Sequence, residues 1–358
     1  MQPIQYPDSV EGLYQHLKQR LADVVPDFEL RIKAEVAVEV NRLKREKKAV
    51  ILGHNYMEPA LFHSVPDYTG DSLYLSRVAA ESEADLIVFC GVRFMAETAK
   101  TLNPARKVLL PSARGGCSLA ESIDAEDVRQ LKALYPGVVS VTYVNCYAEV
   151  KAEVDYVCTS SNADAMARHL LEAGHERILF IPDEYLSANV ARGAGMNIVF
   201  AEKVDGEVRK PDESGEPGPL MIAWRGRCEV HDKFSVDDIV NARKQFADVR
   251  VLAHPECSPA VVEAADYSGS TTQMIRYVEN MESGRYLLLT ECSMGDNIAS
   301  RNPDREMIRM CSVRCPHMNE ITLEHTLESL RLERYEIDVP EQVRLRSLKS
   351  LERMLEIG

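Results

Sequence analysis

Cys117, Cys228 and Cys315 stand in GGCSLA, GRCEVH and RCPHMN, each just beyond a short apolar run. No two of them form a local CxxC pair. Thiolates this far apart in sequence can share a metal only where separate stretches of chain converge. Three cysteines satisfy three irons of a four-iron cluster and leave the fourth open, and an open iron is a Lewis acid. The spacing therefore favours catalysis over electron transfer. Zinc is the competing reading, held by three cysteines or by two with His231 or His317, although the paired spacing of a structural zinc site is absent. Cys292 and Cys311 lie close enough in sequence to replace Cys315, and Cys311 with Cys315 could form a redox disulfide. Cys90, Cys146 and Cys158 lie in or beside apolar runs and read as core.

The elements that would position these groups show in a self-comparison. At a shift of 111, Val138–Asn145 (VVSVTYVN) maps onto Val249–Glu256 (VRVLAHPE), Asp155-Tyr156 onto Asp266-Tyr267, and Thr159-Ser160-Ser161 onto Ser270-Thr271-Thr272. A first copy is expected at a shift of 70, with Asp85 matching Asp155 and Lys107 matching Arg177. Short apolar runs separated by helical patterns read as parallel strands with crossover helices. Such units place functional groups beyond the carboxyl ends of their strands. His54-Asn55-Tyr56, Tyr143 with Asn145, His254 with Glu256, and the Ser/Thr clusters all stand there.

The expected fold is α/β: three similar small units with parallel sheets, in a pseudo-threefold triangle around a central cluster. A helical segment covers 1–48. The units span 49–120, 121–235 and 236–322, carrying Cys117, Cys228 and Cys315 in turn, and a helical tail covers 323–358. Residues 203–219, charged and rich in Gly and Pro, read as a solvated loop or hairpin inserted in the second unit.

A chain of 358 residues has room for such units, and 45% apolar with 27% charged residues is ordinary for a globular protein. The net charge of −14, with no strongly basic segment, argues against nucleic-acid binding. No apolar run approaches the roughly 18 residues of a membrane span. The first residues, MQPIQYPDSVEG, lack the regions of a secretory signal, so a cytoplasmic location is expected.

The motifs GHNY (53–56), GDSL (70–73), GGCSLA (115–120), TYVN (142–145), CTSSNA (158–163), GRCEVH (226–231), HPEC (254–257), GSTTQM (269–274) and CPHMNEITLE (315–324) together resemble the quinolinate synthases. The likeness runs from about residue 49 to 330. It implies three α/β units around a [4Fe–4S] cluster held by Cys117, Cys228 and Cys315. The activity it implies is condensation of iminoaspartate with dihydroxyacetone phosphate, with loss of phosphate and two waters, in NAD biosynthesis. Functional coupling to L-aspartate oxidase is implied as well. Another open-iron hydro-lyase and a non-enzymatic iron or redox sensor are the alternatives, and the sensor would want a partner surface or basic patch that the sequence does not show.

In that setting Glu256 is the general-base candidate and Tyr56 a proton donor or acceptor at an enol. His54, His231 and His254 would orient carboxylate or phosphate oxygens by charge-assisted hydrogen bonds. Ser72, Tyr143, Asn145, Ser160, Ser270 and Thr271 would hold carboxylates. A Ser or Thr after a strand also serves as a helix cap, and both roles fit because helix N-termini attract anions. Met294 and Met318 read as packing. Arg93 and Arg114 are either phosphate partners or surface residues.

Overall fold

The computed structural model describes residues 2–213, 217–281, 284–309 and 313–357. Three sheets carry the fold. The first is built from β1 (Ala49–His54), β2 (Tyr68–Gly70), β3 (Leu86–Cys90) and β4 (Lys107–Leu109), in the order β2-β1-β3-β4. Buried on both faces, β3 reads as the unbroken apolar run LIVFC, because crossover helices leave a parallel strand no solvent side.

The second sheet contains β5 (Val139–Tyr143), β6 (Tyr156–Cys158), β7 (Arg177–Ile181), β8 (Asn197–Val204), β9 (Glu207–Arg209) and β10 (Leu220–Trp224). Its order is β6-β5-β7-β10-β8-β9. The third uses β11 (Arg250–Ala253), β12 (Tyr267–Ser268), β13 (Gly284–Leu289) and β14 (Arg305–Ile308), in the order β12-β11-β13-β14. The expected α/β class with three similar sheets is therefore observed.

One device recurs in all three. Asp67, Asp155 and Asp266, each just before a short outer strand, accept the N–H of Ile51, Ser140 and Val251 at 2.8, 2.9 and 2.7 Å. The three aspartates return their own N–H groups to the carbonyls of the same residues, at 2.8, 3.1 and 2.8 Å. This pairing corrects the expected register of the first copy. Asp67, and not Asp85, is the counterpart of Asp155: Asp85 immediately precedes the inner strand β3, and Lys107 opens β4 whereas Arg177 opens β7.

The stretch around 203–219 is in part the expected hairpin. Asp205-Gly206 turns β8 back into the antiparallel β9, with both turn residues at positive φ. Residues 214–216 lie outside the described residues.

By internal packing the chain forms two compact units. One comprises Met1–Gly116, Asp248–Arg250 and Thr271–Asp338; the other comprises Cys117–Ala247, Val251–Ser270 and Val339–Gly358. In the first, helix Val10–Leu21 buries Leu13, Leu17 and Leu21 at helical spacing and packs on helix Asp27–Glu46. The latter helix also packs against helix Leu323–Leu332. In the second, helix Glu341–Ile357 lies on β6, and Ser350 Oγ donates to the Lys151 carbonyl at 2.8 Å. No helix among the described residues is long and apolar enough to cross a membrane.

Candidate active site

Each of the three cysteines opens the same local structure. Three residues on begins a short 3-10 helix: Ala120–Ser122, His231–Lys233 and Met318–Glu320. Seven residues on stands the N-cap of an α-helix, namely Asp124, Ser235 and Thr322. Asp124 and Ser235 complete capping boxes, in which cap and N3 carboxylate satisfy each other's amide. Carbonyls of Cys117, Cys228 and Cys315 accept the N–H four residues on, at 3.0 Å each. The turn directs amides at sulfur as well. Val230 and His231 donate to Cys228 Sγ, and Met318 N–H lies 3.5 Å from Cys315 Sγ. Amides aimed at a sulfur favour a thiolate, the form that binds metal. Gly226 lets the chain enter the Cys228 turn, since a Cβ there would stand 2.6 Å from the Pro182 carbonyl and collide with Ser122 Oγ.

Glu256 is the hub of the second unit. It follows β11 and is buried, with His254 Nδ1 at 3.1 Å and His231 Nδ1 at 3.3 Å from its Oε2. Asn145 Nδ2 donates to Oε1 at 3.3 Å, and the Tyr143 hydroxyl donates as well. The two imidazoles stack with centroids 4.6 Å apart. Cys228 Sγ belongs to the same group: its sulfur, a His231 ring nitrogen and a Glu256 oxygen lie within 4.8 Å of one another. The structure thus brings Cys228, Tyr143, Asn145, His231, His254 and Glu256 together; burial first, then Glu256 and Cys117, raise the Cys228 thiol well above its ordinary value and outweigh the two amides.

Burial decides the charge states here. It raises the Glu256 carboxyl, against the pull of His231 and Tyr143, and pushes His231 down to about 3. The 3.3 Å spacing would suit an ion pair, but loss of water opposes charge on the imidazole more strongly than one carboxylate can offset. Burial thus favours a neutral His231 ring against the Glu256 carboxyl.

In the first unit His54 ends β1, and its Nδ1 accepts the Tyr56 N–H at 3.2 Å, as His254 Nδ1 accepts the Glu256 N–H at 3.4 Å. The Tyr56 hydroxyl meets Thr290 Oγ1 at 2.5 Å. Thr271 accepts a hydrogen bond from Asn55 Nδ2 at 2.9 Å. Ser72 is the first residue of helix Ser72–Glu81, whose cap is Asp71. Ser160 lies in the second unit beyond β6, and the buried Ser270 follows β12 there.

Residues 38–356 match the family described as quinolinate synthetase A protein. The chain belongs to that family. It is 46% identical over 341 residues to quinolinate synthase 2 of Mesorhizobium japonicum, covering 95% of this chain and 97% of the relative. Quinolinate synthase of Agrobacterium fabrum is 47% identical over 341 residues, covering 95% and 91%. That of Xylella fastidiosa is 47% identical over 328 residues, covering 91% and 89%. Such names place this quinolinate synthetase A family member among enzymes.

Three residues of this family member escaped the sequence reading. Glu291, at the end of β13, accepts the Ser293 N–H at 2.8 Å and the Ser293 hydroxyl at 3.3 Å, and takes the Cys315 N–H as well. Burial raises its carboxyl to about 7. Asp183 is fully buried, with Oδ1 capping helix Glu184–Ala194 and Oδ2 lacking a hydrogen-bond partner; burial and the nearby Glu256 raise it well above the usual carboxylate range. Asn189 Nδ2 donates to the Pro255 and Cys257 carbonyls at 2.9 and 3.0 Å and so fixes the loop that carries Glu256. A lone buried acid or amide has no spacing to betray it. The cap seven residues after each cysteine was the readable signal.

The remaining assignments divide simply. Cys90, Cys146 and Cys158 are core, and so are Met294 and Met318. Arg93 pairs with Glu97 at 2.7 Å and Arg114 with Glu320 at 2.8 Å, which favours the surface reading for both. Cys311 lies outside the described residues.

Proposed function

We propose that this chain is a quinolinate synthase: it condenses iminoaspartate with dihydroxyacetone phosphate and releases quinolinate, phosphate and two waters. The product feeds NAD biosynthesis, with iminoaspartate supplied by an enzyme such as L-aspartate oxidase. The observation that carries the reading is the buried Glu256 hub beside Cys228, in a chain of this family.

The proposed cofactor is a [4Fe–4S] cluster on Cys117, Cys228 and Cys315. The donor set fits it: three cysteines, each heading a turn of one design. A four-iron cluster on three thiolates supplies one iron open to a hydroxyl or carboxylate oxygen.

The protein's own groups do the rest. Glu256 removes a proton from the condensing carbon and returns protons to departing oxygens, and a carboxyl raised by burial exchanges protons closer to neutrality. Tyr143 and Asn145 donate to that carboxyl and hold it in one orientation, and His54, His231 and His254 orient substrate oxygens. Tyr56 exchanges a proton at the enol. Ser72, Tyr143, Asn145, Ser160, Ser270 and Thr271 hold carboxylates with neutral donors, which lets an acidic protein accept acidic substrates. Burial of His54, Tyr143, His254, Glu256, Ser270 and Thr271 excludes water and strengthens the contacts these residues make.

The test is anaerobic protein with iron and sulfide analysis, given iminoaspartate and dihydroxyacetone phosphate. Quinolinate formation by cluster-bearing protein is expected. An intact cluster without quinolinate would leave the hydro-lyase alternative, and a colourless, iron-free protein after reconstitution would remove the cluster.

A further inference from the structure

Cys228, His231 and Glu256 offer a sulfur, a nitrogen and an oxygen within 4.8 Å of one another, all inside one compact unit. In a tetrahedral zinc site, bond lengths of about 2.0–2.3 Å set neighbouring donors about 3–4 Å apart. His231 Nδ1 and Glu256 Oε2 are already at 3.3 Å, so the sulfur need close by no more than about 1 Å. The surroundings suit a ligand set. Both His231 and Glu256 are about 98% buried, which holds their positions against solvent. Glu256 is braced by Asn145 at 3.3 Å and by the Tyr143 hydroxyl, the kind of outer contact that orients metal-binding carboxylates. Amides of Val230 and His231 already point at the sulfur.

We infer that Cys228, His231 and Glu256 form a second, mononuclear site that binds one divalent zinc-like ion, with a water in its fourth position, whenever the iron–sulfur cluster is absent. A thiolate, imidazole and carboxylate together suit Zn2+ and its spectroscopic substitute Co2+. The two occupants exclude each other because both need Cys228. Only that exclusion rests on the cluster reading of the proposed function; the zinc site does not. Zinc taken up first therefore blocks cluster assembly.

The experiment uses metal-free full-length protein titrated anaerobically with Co2+ alone. One Co2+ per chain is expected, with a thiolate-to-cobalt charge-transfer band that one equivalent of Zn2+ abolishes. Cys228→Ser removes the band. His231→Gln and Glu256→Gln weaken Co2+ binding by about 100-fold. Circular dichroism identifies any variant that fails to fold, and the other two variants then decide. Cys117→Ser and Cys315→Ser keep wild-type affinity. Equal loss in Cys117→Ser or Cys315→Ser, or no stoichiometric binding by the wild type, overturns the inference. Reconstitution of the wild type with iron and sulfide is run in parallel. Failure to form a cluster with the cobalt pattern intact counts against the cluster alone, and one equivalent of prior Zn2+ that leaves cluster formation unaffected counts against the shared use of Cys228.

Discussion

Asn145 and Glu256 occupy the same position in two copies of one repeat, and the amide of the first donates to the carboxylate of the second at 3.3 Å. The third equivalent position is Tyr56, which like Glu256 sends its N–H to the histidine two residues before it. One backbone arrangement thus presents a carboxylate, an amide and a phenol. In the proposed reaction the acid carries the proton, and the amide counterpart donates to it.

Replacing Glu256 by Gln keeps the size and removes the base. Quinolinate formation is expected to fall by about 100- to 10,000-fold, the range for a lost general base, while iron content stays at the wild-type level. Asn145→Ala removes one hydrogen bond to a carboxylate and is expected to cost about tenfold. Turnover measured beside iron analysis checks both; equal loss of iron in Glu256→Gln would show a structural role instead.

Single Cys117→Ser, Cys228→Ser and Cys315→Ser variants are expected to lose the brown colour of a stable cluster. Cys90→Ala and Cys146→Ala delete fully buried side chains and should reduce stability by about 1 kcal/mol, the scale of a lost buried group, with colour retained. Visible absorption and denaturant unfolding read the two effects separately.

Gly226→Ala places a methyl group against Ser122 Oγ and against the Pro182 carbonyl, which as backbone cannot swing aside. Unfolding of iron-free protein is expected to show a loss of about 1–3 kcal/mol, as for overpacking. Iron content should fall with it, because the displaced segment carries Cys228.

Glu291→Ala strips the Ser293 and Cys315 amides of their acceptor. Hydrogen exchange in iron-free protein should become faster at these two amides, and the reconstituted cluster should be lost sooner to a chelator. Unchanged protection at Cys315 would remove Glu291 from any part in setting that turn.

The buried His63, bonded to Ser300 Oγ at 2.6 Å and facing Arg301, is held down to about 2 by burial and by that cation. In the unfolded chain it titrates near 6.5, so below that pH the unfolded state binds the extra proton and the folded state does not. Stability therefore declines as pH falls below 6.5, by about 1.4 kcal/mol per pH unit for this one group. His231, held near 3, adds a similar slope in iron-free protein. Urea unfolding between pH 7.5 and 5.5 would read it, and His63→Gln should flatten it by one proton.

Much of this was legible in the sequence because parallel strands buried on both faces leave unbroken apolar runs, and because polar residues gather at their ends. LIVFC and VSVTY announce strands without saying which place in a sheet each takes. The register of the first copy was misjudged for that reason: an aspartate precedes both Leu86 and Tyr156, but only Asp67 makes the amide contact that Asp155 and Asp266 make. The residues that meet at Glu256 were named one by one from motif ends, but their contacts with one another were not. Glu291 and Asp183 were not, since a single acid beside an apolar run gives no hint that it will be buried.

The capping boxes at Asp124 and Ser235 are made by the polypeptide alone. Cys117 and Cys228 consequently stand on turns whose capping bonds need no inorganic guest to close them. Oxygen damage to the proposed cluster would then empty a socket and spare its walls, leaving a shell that repair can refill.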